Sequence, residues 1–371
     1  MSIIDLGETG DPPYGSFFTA DPINGEKHMK AIVVTQPNQV EILEIPKPKP
    51  GPYQVLAKNK IAALCNATDK KLIEGHFPGY DQYPLVLGHE GVAVVEEIGA
   101  KVRNFKIGDH VVSGMLGDFG RPDFYGGWGG FCEYIVVHDH DAMVADGTDS
   151  EEHGWFDSCE VQTKVDKDIP LEEAALLCTW REVMGGFGDF HLEPDNEILI
   201  FGAGPVGLSF VKFAHLLGMK WIGVVEPNRS RHDRILAMGA HQVFLPEDVA
   251  SLKNTRAPLD AVIDAVGNED IVNASLPLLK MGGSMCIYGV LANDTIPLNK
   301  SLGPYNFNLF IHQWPTRFRE RAAQEPLCRW IREGKLTASE FVTHTFPFEQ
   351  INQALDAART GNVIKCLLAY E

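Results

Sequence analysis

Residues 196–218 read NEILIFGAGPVGLSFVKFAHLLG, and this stretch decides the fold of the second half of the chain. An apolar run, EILIF, enters a glycine turn that opens an apolar segment with helical spacing. Gly202 permits the tight turn, Gly204 lets the backbone approach a pyrophosphate, and Gly207 lets the helix pack on the strand. Pro205 and Val206 complete the turn at the helix start, where free N–H groups attract phosphate. The stretch therefore predicts a dinucleotide site.

The segments that follow this turn support the same interpretation. Apolar runs such as WIGVV, LDAVIDAVG and SMCIYGV alternate with helical patterns, which predicts parallel β-α-β units. Glu226 ends the run WIGVV, about 20 residues after the turn, where a carboxylate accepts hydrogen bonds from both ribose hydroxyls. Such a carboxylate repels a 2′-phosphate, so NAD is favoured over NADP. Arg229 and Arg231 keep NADP open, because either could hold that phosphate.

The first half of the chain has a different pattern. From Met29 onward, short β-branched runs alternate with Pro and Gly, which predicts successive short strands. Residues 145–168 are acidic and lack periodicity, so we expect a surface excursion there. The sequence has no internal repeat and no low-complexity tract. A mostly-β region followed by an α/β region is the predicted organisation.

Composition limits the classes of function. The 371 residues carry 50 acidic and 32 basic side chains, a formal charge of -18, so we expect no nucleic-acid partner and no membrane partner. The seven cysteines are scattered and form no C-x-x-C pair, which favours reduced thiols in a cytoplasmic protein. The opening residues lack the basic start and apolar run of a signal peptide. No later apolar run reaches about 18 residues.

Four motifs together carry a resemblance to a known family: GHEGVAVVEEIG at 88–99, GDHVV at 108–112, GAGPVG at 202–207 and the closing strand NVIKCLLAYE. With them the chain resembles the zinc-dependent medium-chain dehydrogenase/reductase family, the alcohol and sorbitol dehydrogenases, over nearly everything from Met29 to Glu371. The resemblance implies an α/β protein with a GroES-like, mostly-β catalytic domain at residues 1–178 and 321–371. It also implies a Rossmann domain, a doubly wound parallel sheet, at residues 179–320, and a homodimer or homotetramer.

The resemblance implies one catalytic zinc ion held by Cys65, His89 and Cys178. Cys178 lies 24 residues before Gly202, where family members carry their third ligand. Two sulfurs and one nitrogen with an open fourth position suit a catalytic zinc site. Either cysteine alone is more often a small buried residue. Glu90 is expected beside the ligands or transiently on the metal, the alternative being a surface salt-bridge partner.

The chain departs from the family pattern after Cys65. Family members commonly place a Ser or Thr two residues after the cysteine, where its hydroxyl starts a proton relay, but Ala67 stands there. We expect Thr68 to supply the relay hydroxyl, the alternative being a turn-capping role. The four clustered cysteines of a structural zinc lobe are also missing, since residues 113–160 offer only Cys132 and Cys159. We expect no structural zinc.

The resemblance further places Val206, Val266, Val290 and Lys365 along the dinucleotide. Lys365 would meet the pyrophosphate as a point charge, or else be a solvated lysine at a strand end. The expected reaction is zinc-dependent hydride transfer between NAD and a secondary hydroxyl of a small polyol, cyclitol or sugar-like molecule. The alternatives are the same chemistry on a hydrophobic or aromatic alcohol or carbonyl, and a zinc-less NAD(H)-binding relative.

Two further segments bear on the substrate. Arg181 and Glu182 follow Cys178, and a charged group facing the zinc would favour a polyhydroxylated or charged substrate, whereas outward-facing groups would leave the substrate open. Aromatic residues crowd the loop GDFGRPDFYGGWGG and its surroundings, where they could line a pocket, stack on a sugar or pack the domain: Phe119, Phe124, Tyr125, Trp128 and Trp155.

Overall fold

The computed structural model describes residues 27–256, 258–293 and 295–371. The opening segment, on which the expectation of no signal peptide rests, lies outside them. Within the described residues the strands are, in chain order, β1 (His28–Gln36), β2 (Gln39–Pro46), β3 (Gln54–Leu64), β4 (Leu85–Val86), β5 (Gly91–Ile98), β6 (His110–Val112), β7 (Tyr125–Gly126), β8 (Tyr134–His138), β9 (Thr163–Val165), β10 (Glu197–Phe201), β11 (Trp221–Val225), β12 (Gln242–Phe244), β13 (Leu259–Asp264), β14 (Leu279–Ile287), β15 (Asn308–Ile311), β16 (Val342–Pro347) and β17 (Lys365–Ala369).

The helices concentrate in the second half of the chain, as the periodicity predicts. They are α1 (Thr68–Glu74), α2 (His140–Asp146), α3 (Leu171–Asp189), α4 (Pro205–Leu216), α5 (His232–Ala237), α6 (Val249–Thr255), α7 (Glu269–Ser275), α8 (Arg317–Ala322), α9 (Gln324–Arg332) and α10 (Ile351–Arg359). Among the described residues, none of these helices combines the length and the apolar character needed to cross a membrane.

The chain divides into two compact units. Among the described residues, unit 1 contains 27–175 and 344–371, and unit 2 is Leu176–Thr343. Relative to the predicted boundaries, residues 176–178 and 321–343 fall in unit 2. The physical reason is packing within that unit. Helix α9 lays Trp330 against Phe213 of α4, with ring centroids 5.7 Å apart.

Unit 2 is built on a parallel sheet. Its strand order is β12-β11-β10-β13-β14-β15, and neighbouring strands in it are parallel. The chain reverses its direction of winding between β10 and β13. In open α/β sheets ligands bind at the carboxyl ends of the strands at such a switch point. The glycine turn at Gly202 follows β10, so the fold places the predicted dinucleotide site there.

Unit 1 is built on mixed, mostly antiparallel sheets. One has the order β2-β1-β4-β7, and the other has the order β16-β17-β3-β5-β6-β9 with β8 also on β3. Strand β3 is central to the second sheet: it pairs antiparallel with β5, β8 and β17. Because antiparallel neighbours run in opposite directions, the carboxyl end of β3 lies beside the amino ends of β5 and β17.

Candidate active site

A thiol, an imidazole and a carboxylate meet in unit 1. One ligand atom each of Cys65, His89 and Glu90 lies within 4.8 Å of the others, and this is the group of potential metal ligands found among the described residues. The His89 Nε2 atom is 3.6 Å from Glu90 Oε1. A thiolate and an imidazole nitrogen are ligands that zinc prefers. The donor set of this chain therefore fits a zinc ion, with Glu90 adjacent to it.

Strand register explains why these residues meet. Ala62 of β3 faces Gly91 of β5, and the Ala63 N–H donates to the Glu90 carbonyl at 3.1 Å. Cys65 follows the end of β3, while His89 and Glu90 directly precede β5. Gly88 adopts a φ of +103°, and a Cβ there would lie 2.3 Å from the ring of Phe131. Glycine is thus required immediately before the histidine.

Asp69 orients His89 from the opposite side. Its Oδ1 atom is 3.6 Å from His89 Nδ1, and its Oδ2 atom accepts the Cys65 N–H at 2.8 Å. Burial raises the pKa of this carboxyl to about 7, against the lowering effect of His89. A carboxylate behind a histidine directs the other ring nitrogen toward a metal. In this geometry Nε2 is the nitrogen that faces the ligand cluster.

Lys365 reaches the cluster from the first position of β17. Its ammonium group donates to Glu90 Oε1 at 2.7 Å and lies 2.6 Å from Oε2. The lysine is 1% exposed and Glu90 is 3% exposed. A pair this deeply buried holds the carboxylate in one orientation, because leaving either charge alone would cost its full desolvation energy. The solvated-lysine alternative is thereby wrong for Lys365, as is the surface salt-bridge alternative for Glu90.

The remaining predicted residues of the metal site divide between the two units. Thr68 is the first residue of α1 in unit 1, is 8% exposed, and follows Ala67 at the N-cap. Cys178 lies on α3 in unit 2 and is 6% exposed. Its Sγ atom is 3.9 Å from Glu182 Oε1, one helical turn later.

The glycine turn of unit 2 has the predicted form. Gly202 has a φ of +90°, and a Cβ on Gly207 would lie 2.0 Å from the Gly202 carbonyl oxygen, so the third glycine is needed for the turn itself. Gly204 is the N-cap of α4, and Pro205 is the first helical residue. A Cβ on Gly204 would have no neighbour within 4 Å. The turn leaves open space at the helix N-terminus, which suits a phosphate group.

Glu226 lies at the end of β11, beside this turn. Its Oε2 atom accepts the Ala203 N–H at 2.8 Å and its Oε1 atom accepts the Asn228 N–H at 2.9 Å. Arg231 donates to the Ala203 carbonyl at 3.3 Å, and its guanidinium lies 3.9 Å from Glu226. The carboxylate is fixed by backbone donors, and part of the arginine charge is already offset by Glu226.

Two further loops, one after β13 and one after β14, lie next to the glycine turn. The buried Asp264 carboxylate accepts the N–H groups of Val266 at 2.8 Å and Gly267 at 3.0 Å, so it fixes the first loop. Burial raises the pKa of Asp264, while these hydrogen bonds lower it. A Cβ on Gly267 would lie 2.4 Å from the Val290 carbonyl oxygen, which shows how closely the two loops approach each other. Val266 is 54% exposed.

The charge of Arg181 is buried and paired inside unit 2. The side chain is fully buried in unit 2, where its Nη1 atom donates to Gln324 at 2.8 Å and its Nη2 atom is 3.9 Å from Glu320. Arg317 also bonds Glu320, at 2.9 Å. The charge of Arg181 is therefore compensated within the protein, and it gives no support to a charged or polyhydroxylated substrate.

Sequence reasoning missed the functional roles of Asp69, Asp264 and the Lys365 to Glu90 pair. Asp69 had a usable signal, since it lies four residues after Cys65, and its backbone N–H donates to the Cys65 carbonyl at 3.0 Å. Asp264 ends an apolar strand, the position from which a carboxylate reaches the following N–H groups. The Lys365 to Glu90 pair spans 275 residues and had no local signal.

Two family models match the chain. Residues 51–146 match the alcohol dehydrogenase GroES-like domain, and residues 205–312 match the zinc-binding dehydrogenase domain, which together cover more than half of the chain. With the site geometry they define the class, a zinc-type alcohol dehydrogenase. The chain belongs to the zinc-dependent medium-chain dehydrogenase/reductase family, so the predicted family and fold class are confirmed.

Individual relatives agree over nearly their whole length. A putative alcohol dehydrogenase D of Mycobacterium tuberculosis is 28% identical over 93% of this chain and 100% of its own. D-arabinitol dehydrogenase 1 of Uromyces fabae is 26% identical, covering 91% and 96%. The crystal structure of benzyl alcohol dehydrogenase from Acinetobacter calcoaceticus has a TM-score of 0.76 at 21% identity, over 93% of this chain and 100% of that one, and shows the shared fold. The family uses zinc, a nicotinamide cofactor and small-molecule substrates.

Proposed function

We propose that this protein is a zinc- and NAD-linked dehydrogenase of a small secondary alcohol. The observation that carries the proposal is the Cys65, His89 and Glu90 cluster, in which a thiol sulfur and an imidazole nitrogen meet beside a buried carboxylate. Cys65, His89 and Cys178 are the proposed ligands of a single catalytic zinc ion. When bound there, zinc lowers the pKa of a substrate hydroxyl and polarises a carbonyl. No structural zinc is proposed.

The chain's own residues position these ligands and move a proton. Asp69 holds the His89 ring through Nδ1, and Lys365 holds the Glu90 carboxylate against His89 Nε2. The Thr68 hydroxyl is the proposed proton relay: it takes the substrate hydroxyl proton and releases its own proton outward to water, since Ala67 carries no hydroxyl and Thr68 begins α1 three residues after Cys65. Lys365 acts here by positioning Glu90. Its predicted contact with the pyrophosphate stays a prediction.

Glu226 supports NAD over NADP. Each of its carboxylate oxygens accepts one backbone N–H, and a carboxylate oxygen has room for a second hydrogen bond from a ribose hydroxyl. A 2′-phosphate would meet this negative charge. Arg231, the predicted NADP-favouring residue on the same edge, is drawn toward Glu226 and the Ala203 carbonyl. Gly204 to Gly207, Val266 and Val290 are the proposed remaining contacts of the cofactor, whose nicotinamide accepts the hydride.

The proposed substrate is a polyol, cyclitol or sugar-like molecule, for which the similarity to a D-arabinitol dehydrogenase gives support. A hydrophobic or aromatic alcohol or carbonyl is the second candidate. It is favoured by the Trp128 ring, whose centroid lies 5.4 Å from that of His89. A cytoplasmic location stays a prediction.

A homo-oligomer is proposed on the edge of the parallel sheet. Strand β15 ends the sheet order, and exposed apolar side chains lie on and before it: Tyr305 is 95% exposed and Ile311 is 50% exposed. An apolar edge strand pairs readily with a second copy of itself. Light scattering after gel filtration of the protein and of Ile311→Lys tests this. A monomeric mass for the unsubstituted protein contradicts it.

The deciding experiment measures metal and turnover on the same preparation. We expect about one zinc ion per chain by atomic absorption, and NADH formation at 340 nm from a panel of polyols, sugars and aliphatic and aromatic alcohols. Cys65→Ser should lose both the metal and the turnover, whereas Cys328→Ser, a buried cysteine of α9, should lose neither. Less than about half a zinc ion per chain after gentle purification rules out the zinc site. A clear preference for NADP rules out the proposed role of Glu226.

A further inference from the structure

Three aromatic side chains form a group beside the metal ligands of unit 1, which we call the aromatic platform: Phe77, Tyr80 and Trp128. The Trp128 ring centroid lies 5.4 Å from that of His89, with the planes tilted by 57°. Tyr80 stacks on Trp128 at 5.1 Å and 22°, and Phe77 meets Trp128 edge to face at 5.6 Å. Rings in these arrangements attract one another beyond simple burial, so the indole is held in a defined orientation.

The backbone fixes the indole relative to His89. The Gly130 N–H donates to the Gly88 carbonyl at 2.6 Å, and the Gly129 N–H donates to Val86 at 3.3 Å. The loop that carries Trp128 is thus hydrogen-bonded directly to the segment that carries His89. A Cβ on Gly130 would lie 2.7 Å from the Gly88 carbonyl oxygen, so the two segments are in close contact.

Trp128 occupies this position at a cost. Its φ is +65°, a left-handed conformation that glycine adopts freely and that a bulky side chain rarely adopts. Glycines stand on both sides of it, but the left-handed position itself carries the largest side chain available. Such strain persists where the surrounding structure enforces it, and it clusters at ligand sites.

Core packing accounts for Phe119 and Phe124 of this loop and only partly for Trp128, while Tyr125 is 38% exposed. Phe119 and Phe124 are 4% and 8% exposed and belong to a core cluster with Met29 and Val33. Trp155 lies away from the loop, where it donates to His140 at 3.0 Å. Trp128 is half-buried, with Tyr80 covering one face. An indole held next to a metal ligand and left partly exposed can contact a bound molecule.

We propose that Trp128 is a specificity-determining residue that selects substrates carrying a ring beside the hydroxyl-bearing carbon. The inference rests on the proposed dehydrogenase function and names the substrate class for the same site. The shared chemistry is a flat face that stacks on the indole. An arene offers its π face, and a cyclitol or pyranose offers the face formed by its axial C–H bonds. An open chain offers neither and must give up rotational freedom to lie flat.

The test compares ring and open-chain partners on the zinc-loaded enzyme with NAD. The saturated pairs are cyclohexanol with an open-chain secondary alcohol of equal carbon number, and inositol with sorbitol. The arene pair is a phenyl-bearing secondary alcohol with an aliphatic one of equal carbon number. In Trp128→Leu we expect kcat/KM for the ring members to fall about 3- to 10-fold through KM, and the open-chain members to stay within about 2-fold. Trp128→Phe should keep most of the preference.

The control variant is Trp155→Phe, which removes an indole away from the platform and should leave every ratio unchanged. The two kinds of pair distinguish a saturated ring from an arene. The pair whose kcat/KM ratio changes in Trp128→Leu shows which kind of ring stacks on the indole. Equal falls within every pair, or no fall, show that Trp128 only packs the core and overturn the proposal. Melting temperatures of both Trp128 variants identify a general loss of structure.

A binding measurement separates this proposal from the proposed function. Saturation-transfer NMR on the enzyme with NADH detects ring compounds directly, without turnover. Absence of any dehydrogenase activity, with the ring signals lost in Trp128→Leu and kept in Trp128→Phe, would reject the proposed function and leave the platform standing. Turnover of alcohols with no difference in ring binding between the protein and Trp128→Leu rejects the platform alone.

Discussion

The metal-ligand region of unit 1 is formed by charged side chains, whereas the glycine turn of unit 2 is formed mainly by backbone. Around Cys65 and His89, buried charges stand at the ends of antiparallel strands and compensate one another, as Glu90 and Lys365 do at 2.6 Å. At residues 202–207 three of the six positions are glycine, and the backbone at Gly204 leaves space for a charged ligand to enter. The first region is sensitive to a removed charge, and the second to an added methyl group.

The largest expected effect follows from breaking the buried pair in unit 1. Lys365→Met leaves the Glu90 carboxylate buried without its cation, which should lower the free energy of unfolding by about 3–5 kcal/mol. Urea denaturation of the protein and the variant measures this loss. Lys365→Arg is the matched control and should retain most of the stability, and Lys365→Met combined with Glu90→Gln should recover part of it. A Lys365→Met variant as stable as the protein would contradict the pairing.

Unit 1 also contains a buried histidine outside the metal-ligand region, and its protonation should make the free energy of unfolding depend on pH. His138 on β8 is buried against Gln162, with 3.0 Å between Nδ1 and Oε1, and burial lowers its pKa from 6.5 to about 4. Between about pH 6.5 and pH 4 the imidazole is protonated in the unfolded chain but not in the folded protein. The folded protein therefore keeps its full free energy of unfolding above about pH 6.5. That free energy decreases as the pH falls toward 4, by at most about 3 kcal/mol.

Denaturation at pH 7 and at pH 4.5 checks this titration. The unfolding free energy of His138→Gln should fall less between the two values than that of the unsubstituted protein. Equal falls would show that carboxylates alone set the acid sensitivity.

Alanine substitutions in the glycine turn should show that Gly207 is needed for the backbone conformation and Gly204 for the approach of the cofactor. In Gly207→Ala the new Cβ meets the Gly202 carbonyl at 2.0 Å, and the forced backbone shift should cost about 1–3 kcal/mol and weaken NAD binding. Gly204→Ala meets nothing within 4 Å at an ordinary φ of -74°, so its melting temperature should match that of the protein while its NAD affinity falls. Thermal unfolding and calorimetric NAD titration measure both quantities. Full NAD affinity in Gly204→Ala would show that no phosphate approaches there.

The smallest expected effect concerns the choice of cofactor. Glu226→Gln removes the negative charge and keeps an oxygen for the Ala203 N–H, so kcat/KM with NAD should fall about 10-fold, equivalent to about 1.4 kcal/mol. The NADP-to-NAD ratio should rise, because Arg231 is released from its partner. Adding Arg231→Ala should cancel that rise. An unchanged ratio in Glu226→Gln means that another group excludes the 2′-phosphate.

Sequence reasoning succeeded where the signal is local. The turn at residues 202–207 was predictable because strand, glycines and helix follow one another within about 20 residues. Cys65 and His89 were identified from a motif, and the register of β3 with β5 brings them together. The pairing of Glu90 with Lys365 was not predictable, since it depends on β17 joining β3, a contact with no local pattern. The burial of Arg181 likewise depends on helices α8 and α9, which follow much later in the chain.

The pairing of β17 with β3 has a consequence for the order of synthesis. Unit 2 lies between the two parts of unit 1, so the ribosome completes all of Leu176–Thr343 before it reaches Lys365. At about 5–20 residues per second, the 275 residues between Glu90 and Lys365 take about 15 to 55 seconds. Throughout that interval Glu90 lacks the ammonium group of Lys365, and β3 lacks β17 as its neighbouring strand. The cofactor-binding unit is therefore free to fold first, and the metal site is completed last.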